Sequence, residues 1–136
     1  MYPVTPKDKT YITVREVYPV CPELDKLGLS GKPHGNGNAW DIAPMQGYKN
    51  EVFYIVSPVF GEVIESGVAP ERGNYICIKD NRAEHWFYHL QWRYVAKGQR
   101  VIKGTPIGIM GSTGKSTAKH VHWEVRNGLN IKEYAT

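Results

Sequence analysis

A chain of 136 residues, 41% hydrophobic and 12% aromatic, is long enough for one domain with its own core and too short for two. That composition excludes an intrinsically disordered chain, and no apolar run is long enough to span a membrane. A formal charge of +4 and a pI of about 9.0 suit an anionic partner, whether nucleic acid, a membrane surface or an acidic cell-wall polymer, or else serve solubility alone.

The first residues, Met1 to Lys7, lack the apolar core of a signal peptide. Two readings follow: a protein that leaves its cell without a signal, or one domain of a longer protein. Residues 1–33 read as an extended arm packing on a globular domain of residues 34–136, with a strand predicted over 10–18. The cysteines, Cys21 and Cys77, do not make a disulfide framework, and Cys77 in Tyr75-Ile76-Cys77-Ile78 reads as a core residue. A loop, Gly35-Asn36-Gly37-Asn38, leads to Trp40-Asp41-Ile42-Ala43-Pro44, and residues 46–50 allow one short helix. Beyond them, strands are predicted over 51–57, 59–66, 74–79, 83–90, 105–110 and 119–126, with turn signals at Lys97-Gly98-Gln99 and Lys103-Gly104-Thr105. Many short strands with regular glycine turns indicate an all-β barrel or sandwich.

The stretch Lys119-His120-Val121-His122-Trp123-Glu124-Val125 alternates as a strand does, so the histidines at i and i+2 project from one face. A catalytic zinc usually takes three protein ligands from His, Asp or Glu and leaves one position open, acidifying water and polarising a carbonyl. A further histidine can then take a proton or hold a developing oxyanion. The chain offers His34, Asp41, His89, His120 and His122 for such a site.

The ordered set of these residues resembles the lysostaphin-type (LytM-like) zinc peptidoglycan endopeptidases. The matching stretches are His34…Asp41-Ile42-Ala43-Pro44, Val59-Phe60-Gly61-Glu62-Val63, Tyr88-His89-Leu90, Lys97-Gly98-Gln99-Arg100-Val101, Gly104-Thr105-Pro106-Ile107-Gly108, Gly111-Ser112-Thr113-Gly114 and His120-Val121-His122-Trp123-Glu124-Val125-Arg126. The resemblance covers residues 34–126. It implies a small antiparallel β-barrel or sandwich built as a duplicated hybrid motif, and hydrolysis of stem or cross-bridge peptides in bacterial peptidoglycan. It implies zinc bound by His34, Asp41 and His122, with His89 and His120 as general base and transition-state stabiliser in an order left open. Gly111, Ser112, Thr113 and Gly114 would shape the substrate groove. Peptidoglycan is then the partner, rather than nucleic acid.

The family most often places three residues between its first His and the Asp, and here His34 and Asp41 are separated by six. The extra Gly-Asn-Gly-Asn lengthens a loop that glycine lets fold back. Phage-borne members of the family look similar here, with Asn-Ala-x-Asp. This suggests an enzyme carried by the virion or released at host lysis, alone or within a larger tail or lysis protein. The alternative is an inactive wall-binding or structural domain of the same fold, should His34 not reach the metal.

Other readings are weaker. His85 would share a face with His89 under strict alternation and reads as a surface or groove-edge residue. Trp40 is the candidate to support Asp41. Gly111-Ser112-Thr113-Gly114-Lys115-Ser116 imitates a phosphate-binding loop, but Ile109 occupies the position of its first glycine. Phosphocarrier domains with two facing histidines share such a scaffold, yet lack the His…Asp…His-x-His order.

Overall fold

A computed structural model describes residues 26–29, 38–128 and 130–134. The strand predicted over 10–18, Cys21, His34 and most of the loop before Asp41 lie outside the described residues. Among the described residues there are nine strands: β1 (Leu27–Leu29), β2 (Ala39–Pro44), β3 (Tyr54–Val56), β4 (Gly61–Ala69), β5 (Gly73–Lys79), β6 (Glu84–Arg93), β7 (Arg100–Val101), β8 (Pro106–Met110) and β9 (Val121–Arg126). A 3₁₀ turn, Ile131–Tyr134, follows. Every strand pair is antiparallel, and the sheet runs β1-β2-β9-β6-β5-β4-β7 with β8 on β6 and β3 on β8. The all-β architecture is as expected, and among the described residues the path from β1 to β7 stays open rather than closing into a barrel.

Alternation in β9 sets the layering. Val121, Trp123 and Val125 point into the core, and His122, Glu124 and Arg126 point to the other face. Trp123 stacks on Phe87 and lies across from Trp40 in the β2–β9 register. Ile55, Val63, Ile76, Ile78, Leu90, Ile107 and Met110 complete this apolar layer, each contributing roughly 1.5–3 kcal/mol by leaving water. Cys77 is buried and unbridged, as its sequence context implies.

Residues 46–50 form turns instead of the short helix. Tyr48 N–H donates to the Met45 carbonyl and Glu51 N–H to the Tyr48 carbonyl, both i to i+3 bonds. Gly47 sits at φ +98°, which no right-handed helix admits.

The sheet forks along β6. Residues Glu84 to Tyr88 pair with β9, and Leu90 to Arg93 pair with β8. His89 lies at the fork, and the bridge Gly111↔His120 closes the loop between β8 and β9 beside it.

Candidate functional site

Asp41 stands directly opposite His122 in the β2–β9 register. Trp40 and Ile42 face the core, so Asp41 faces outward with His122, and its Oδ1 lies 3.0 Å from His122 Nδ1. Trp40 therefore supports Asp41 by anchoring β2 from the opposite face, and not by lying beside the carboxylate. His120, two residues before His122, turns Nε2 to 3.8 Å from Asp41 Oδ1. Its Nδ1 lies 2.8 Å from the Ala118 carbonyl, which can only accept, so Nδ1 carries a proton.

His89 reaches the same place by breaking the strand period. Strict alternation groups residues 85, 87 and 89 on the core face, and Phe87 and His85 are indeed buried there. At His89 the backbone turns to φ +69°, while the β5–β6 register slips between Asn74 and Ile76. A bulge of this kind re-aims a side chain. The His89 ring then lies 4.8 Å from that of His120 and 6.5 Å from that of His122, centroid to centroid. Burial lowers the His89 pKa, an effect the Thr113 carbonyl opposes.

His85 is not at a groove edge. It is fully buried against Trp123 and Tyr134 on the far side of the sheet, accepting a hydrogen bond from Trp123 Nε1 at 3.3 Å.

A second group of side chains braces His122. Glu124 Oε1 lies 2.9 Å from His122 Nε2, and Arg126 pairs with Glu124 and donates to the Tyr88 hydroxyl at 2.7 Å. Tyr88 stacks on the His122 ring at 4.8 Å, and the Arg126 and Arg72 guanidiniums lie over Trp86. Burial works against a charged His122, but the carboxylates on its two ring nitrogens outweigh it and hold the imidazole at about 8. The His122 hydrogen bond, aided by Arg126, holds Glu124 down to about 2 against burial. Glu124 was readable as a same-face neighbour of His122, two residues on. The contributions of Tyr88 and Arg72 depend on tertiary packing that no spacing encodes.

Four of the predicted residues, Asp41, His89, His120 and His122, thus converge, and His34 lies outside the described residues. Among the described residues no group of three His, Cys, Asp or Glu side chains has the spacing of a metal site. Their exposures, 8% for His89 and 13%, 19% and 34% for the His122, His120 and Asp41 side chains, admit solvent without leaving the rings loose. Gly111 bridges His120, and Thr113 contacts His89, so the predicted groove loop borders the cluster. Strand β9, and not a helix, follows that loop, unlike a phosphate-binding loop. A separate concavity of about 930 Å³, bordered by Phe60, Lys79, Arg82, Arg100 and Lys103, shares no residue with the cluster.

Residues 36–133 match the sequence profile of Peptidase family M23. Peptidoglycan DD-endopeptidase ShyC of Vibrio cholerae is 39% identical over 72 residues, which is 52% of this chain and 17% of that protein. The chain thus spans less than a fifth of this relative. The catalytic domain of lysostaphin from Staphylococcus simulans has a TM-score of 0.59 at 28% identity, covering 82% of this chain and 86% of that one. A zinc-containing peptidase from Vibrio cholerae has a TM-score of 0.59 at 30% identity, covering 96% of this chain and 36% of that one. The family profile takes in the strands that carry Asp41, His89 and His122 and the bridge residue His120 just before β9, and the chain belongs to peptidase family M23.

Proposed function

We propose that this chain is a zinc-dependent endopeptidase domain that hydrolyses peptide bonds in the stem or cross-bridge peptides of bacterial peptidoglycan. The observation that carries the reading is the β2–β9 register, which sets an Asp41 oxygen and a His122 nitrogen 3.0 Å apart while His89 and His120 converge on them. Relatives named as a peptidoglycan DD-endopeptidase and as the antimicrobial peptidase lysostaphin support the substrate class.

The donor set suits zinc. Two N or O ligands of a tetrahedral zinc, each at about 2.0–2.2 Å, lie roughly 3.3–3.6 Å apart, a small widening of the Asp41–His122 pair. His34, Asp41 and His122 would hold the ion, which when bound acidifies water and polarises the scissile carbonyl. Glu124 accepts a hydrogen bond from His122 Nε2–H and keeps Nδ1 turned toward Asp41. His89 donates a hydrogen bond through Nδ1–H to the Thr113 carbonyl and, favoured as the neutral ring by burial, accepts at Nε2 the proton lost by the attacking water. His120, fixed by Ala118, holds the developing tetrahedral oxygen through Nε2 when protonated. That proton then passes to the leaving nitrogen as the C–N bond breaks, and the remaining water-derived proton follows it from the new carboxyl group, so that peptide and water become a carboxylate and an ammonium.

The purified protein is to be incubated with peptidoglycan from several bacteria, and newly freed amines followed by mass spectrometry. Release that a chelator stops and zinc restores is expected, and the fragment masses name the bond. No release from any wall by fully zinc-loaded protein would leave the wall-binding domain as the correct reading. Glu124→Gln tests the brace on His122. Zinc affinity, read by competition with a chromophoric chelator, is expected to fall about 10- to 100-fold, and an unchanged affinity removes Glu124 from its role.

The reading extends to a phage lysis or tail-associated enzyme, supported by the likeness of Asn38-Ala39-Trp40-Asp41 to phage-borne members. Mass spectrometry of purified virions or of a phage lysate of the source organism checks it. Detection only in uninfected cells argues against it.

A further inference from the structure

The contacts around His89 reach beyond the histidines. Its backbone N–H donates to the Arg72 carbonyl at 2.8 Å, and its Nδ1 lies 2.8 Å from the Thr113 carbonyl. A carbonyl oxygen has no proton to give, so in the neutral ring Nδ1 is protonated and Nε2 carries the lone pair.

The Thr113 carbonyl is itself held in place from three sides. Thr113 Oγ1 donates to the Leu90 carbonyl at 2.7 Å and accepts from the Asn74 N–H at 3.0 Å. Thr113 N–H faces the His89 carbonyl at 3.4 Å, and Lys115 N–H donates to the Glu71 carbonyl at 2.9 Å. The backbones of the β4–β5 turn and the β8–β9 loop meet at Gly73 and Gly114, beside the Thr113 hydroxyl. A Cβ on Gly73 would come within 2.4 Å of Thr113, and one on Gly114 within 2.3 Å of the Gly73 nitrogen. Both glycines also sit at positive φ, +65° and +73°, which β-carbon-bearing residues rarely adopt. The loop is thus locked onto the turn that also fixes the His89 backbone.

We propose that Thr113 is a positioning residue for His89: its hydroxyl locks the loop so that its carbonyl selects the Nδ1–H tautomer and leaves Nε2 facing His120. The inference rests on the role given to His89 above. It also gives the Thr113 hydroxyl a task other than substrate contact, since its proton is committed to Leu90.

The test compares Thr113→Val, which keeps the shape and loses the hydroxyl, with Thr113→Ser, which keeps the hydroxyl. The zinc-loaded proteins are assayed on peptidoglycan, and the His89 ring nitrogens are observed by ¹⁵N NMR. Thr113→Val is expected to lower kcat about 10- to 100-fold with little change in KM or zinc content. Its His89 signals are expected to show a mixture of tautomers, and Thr113→Ser to restore both readouts. A wild-type His89 protonated at Nε2 overturns the proposal without any variant, which covers a valine variant that fails to fold. So does a valine variant with wild-type kcat and tautomer, or a serine variant as impaired as valine. His89→Ala separates the two readings. Full activity in that variant refutes the role of His89 in catalysis, while the tautomer measurement still decides the role of Thr113.

Discussion

Asp41→Ala is expected to cost the protein its zinc and to lower peptidoglycan hydrolysis on the order of a thousandfold or more, with the fold intact. The carboxylate supplies the anionic donor of the proposed set, and it lies against two imidazoles, 3.0 Å from His122 Nδ1 and 3.8 Å from His120 Nε2. Removing it takes away one donor and also the charge that orients both rings. The fold should survive because the flanking side chains, Trp40 and Ile42, hold β2 to the core while Asp41 faces out, its side chain 34% exposed. Asp41→Asn is the sharper control. It keeps the volume and the hydrogen-bonding reach but not the negative charge, so zinc retention near that of alanine assigns the loss to charge rather than to space. Zinc content by elemental analysis, thermal unfolding and amine release would be measured together. An alanine variant that kept stoichiometric zinc and full hydrolysis would remove Asp41 from the site.

The order of the site along the chain was legible because strand periodicity is a local property. His120 and His122 share a face for the same reason that Val121, Trp123 and Val125 share the other, and Glu124 follows from the same count. Asp41 was readable as a site residue, but its placement within a strand was not. Trp40-Asp41-Ile42-Ala43-Pro44 ends in proline and follows a glycine-rich loop, and only its pairing between β1 and β9 makes it extended. β7, two residues long, is likewise a product of its partner β4 and lies between the turn signals at Lys97-Gly98-Gln99 and Lys103-Gly104-Thr105.

His85 and His89 show where the period fails. Four residues apart on one predicted strand, they were expected to share a face, and the bulge sends them to opposite sides of the sheet. Nothing in Tyr88-His89-Leu90 marks that bulge. Its cause is distant in sequence: the Arg72 carbonyl on one side, and on the other the exchange of β9 for β8 as the partner of β6. A position whose backbone is set by three separate segments cannot be read from its neighbours.

The burial of His85 carries the second large expectation, a stability that falls with acid. The ring is fully buried, and burial pushes its pKa down to about 4, with Asp80, 4.0 Å away, opposing only in part. In the unfolded chain the same ring titrates near its ordinary 6.5. Above that pH both states hold it neutral and the ring contributes nothing to the pH dependence. Between 6.5 and 4 the unfolded state binds a proton that the folded state refuses, so stability drops as the pH falls through this window. The full difference is about 3 kcal/mol, most of it reached by about pH 4.5. His122 has the opposite sign: its raised pKa stabilises the metal-free fold below 6.5, and that contribution is lost as the pH rises through about 8. His85→Phe isolates the first effect, since it keeps an aromatic ring against Trp123 and Tyr134 and cannot titrate. The variant removes the hydrogen bond from Trp123 Nε1 to His85 and is expected to be less stable at neutral pH by about 1–3 kcal/mol. Guanidinium denaturation of both proteins at neutral pH and near pH 4.5 would show the wild type losing most of that 3 kcal/mol relative to the variant. Parallel curves would mean that His85 takes up its proton inside the fold, with Asp80 close enough to stabilise the charge.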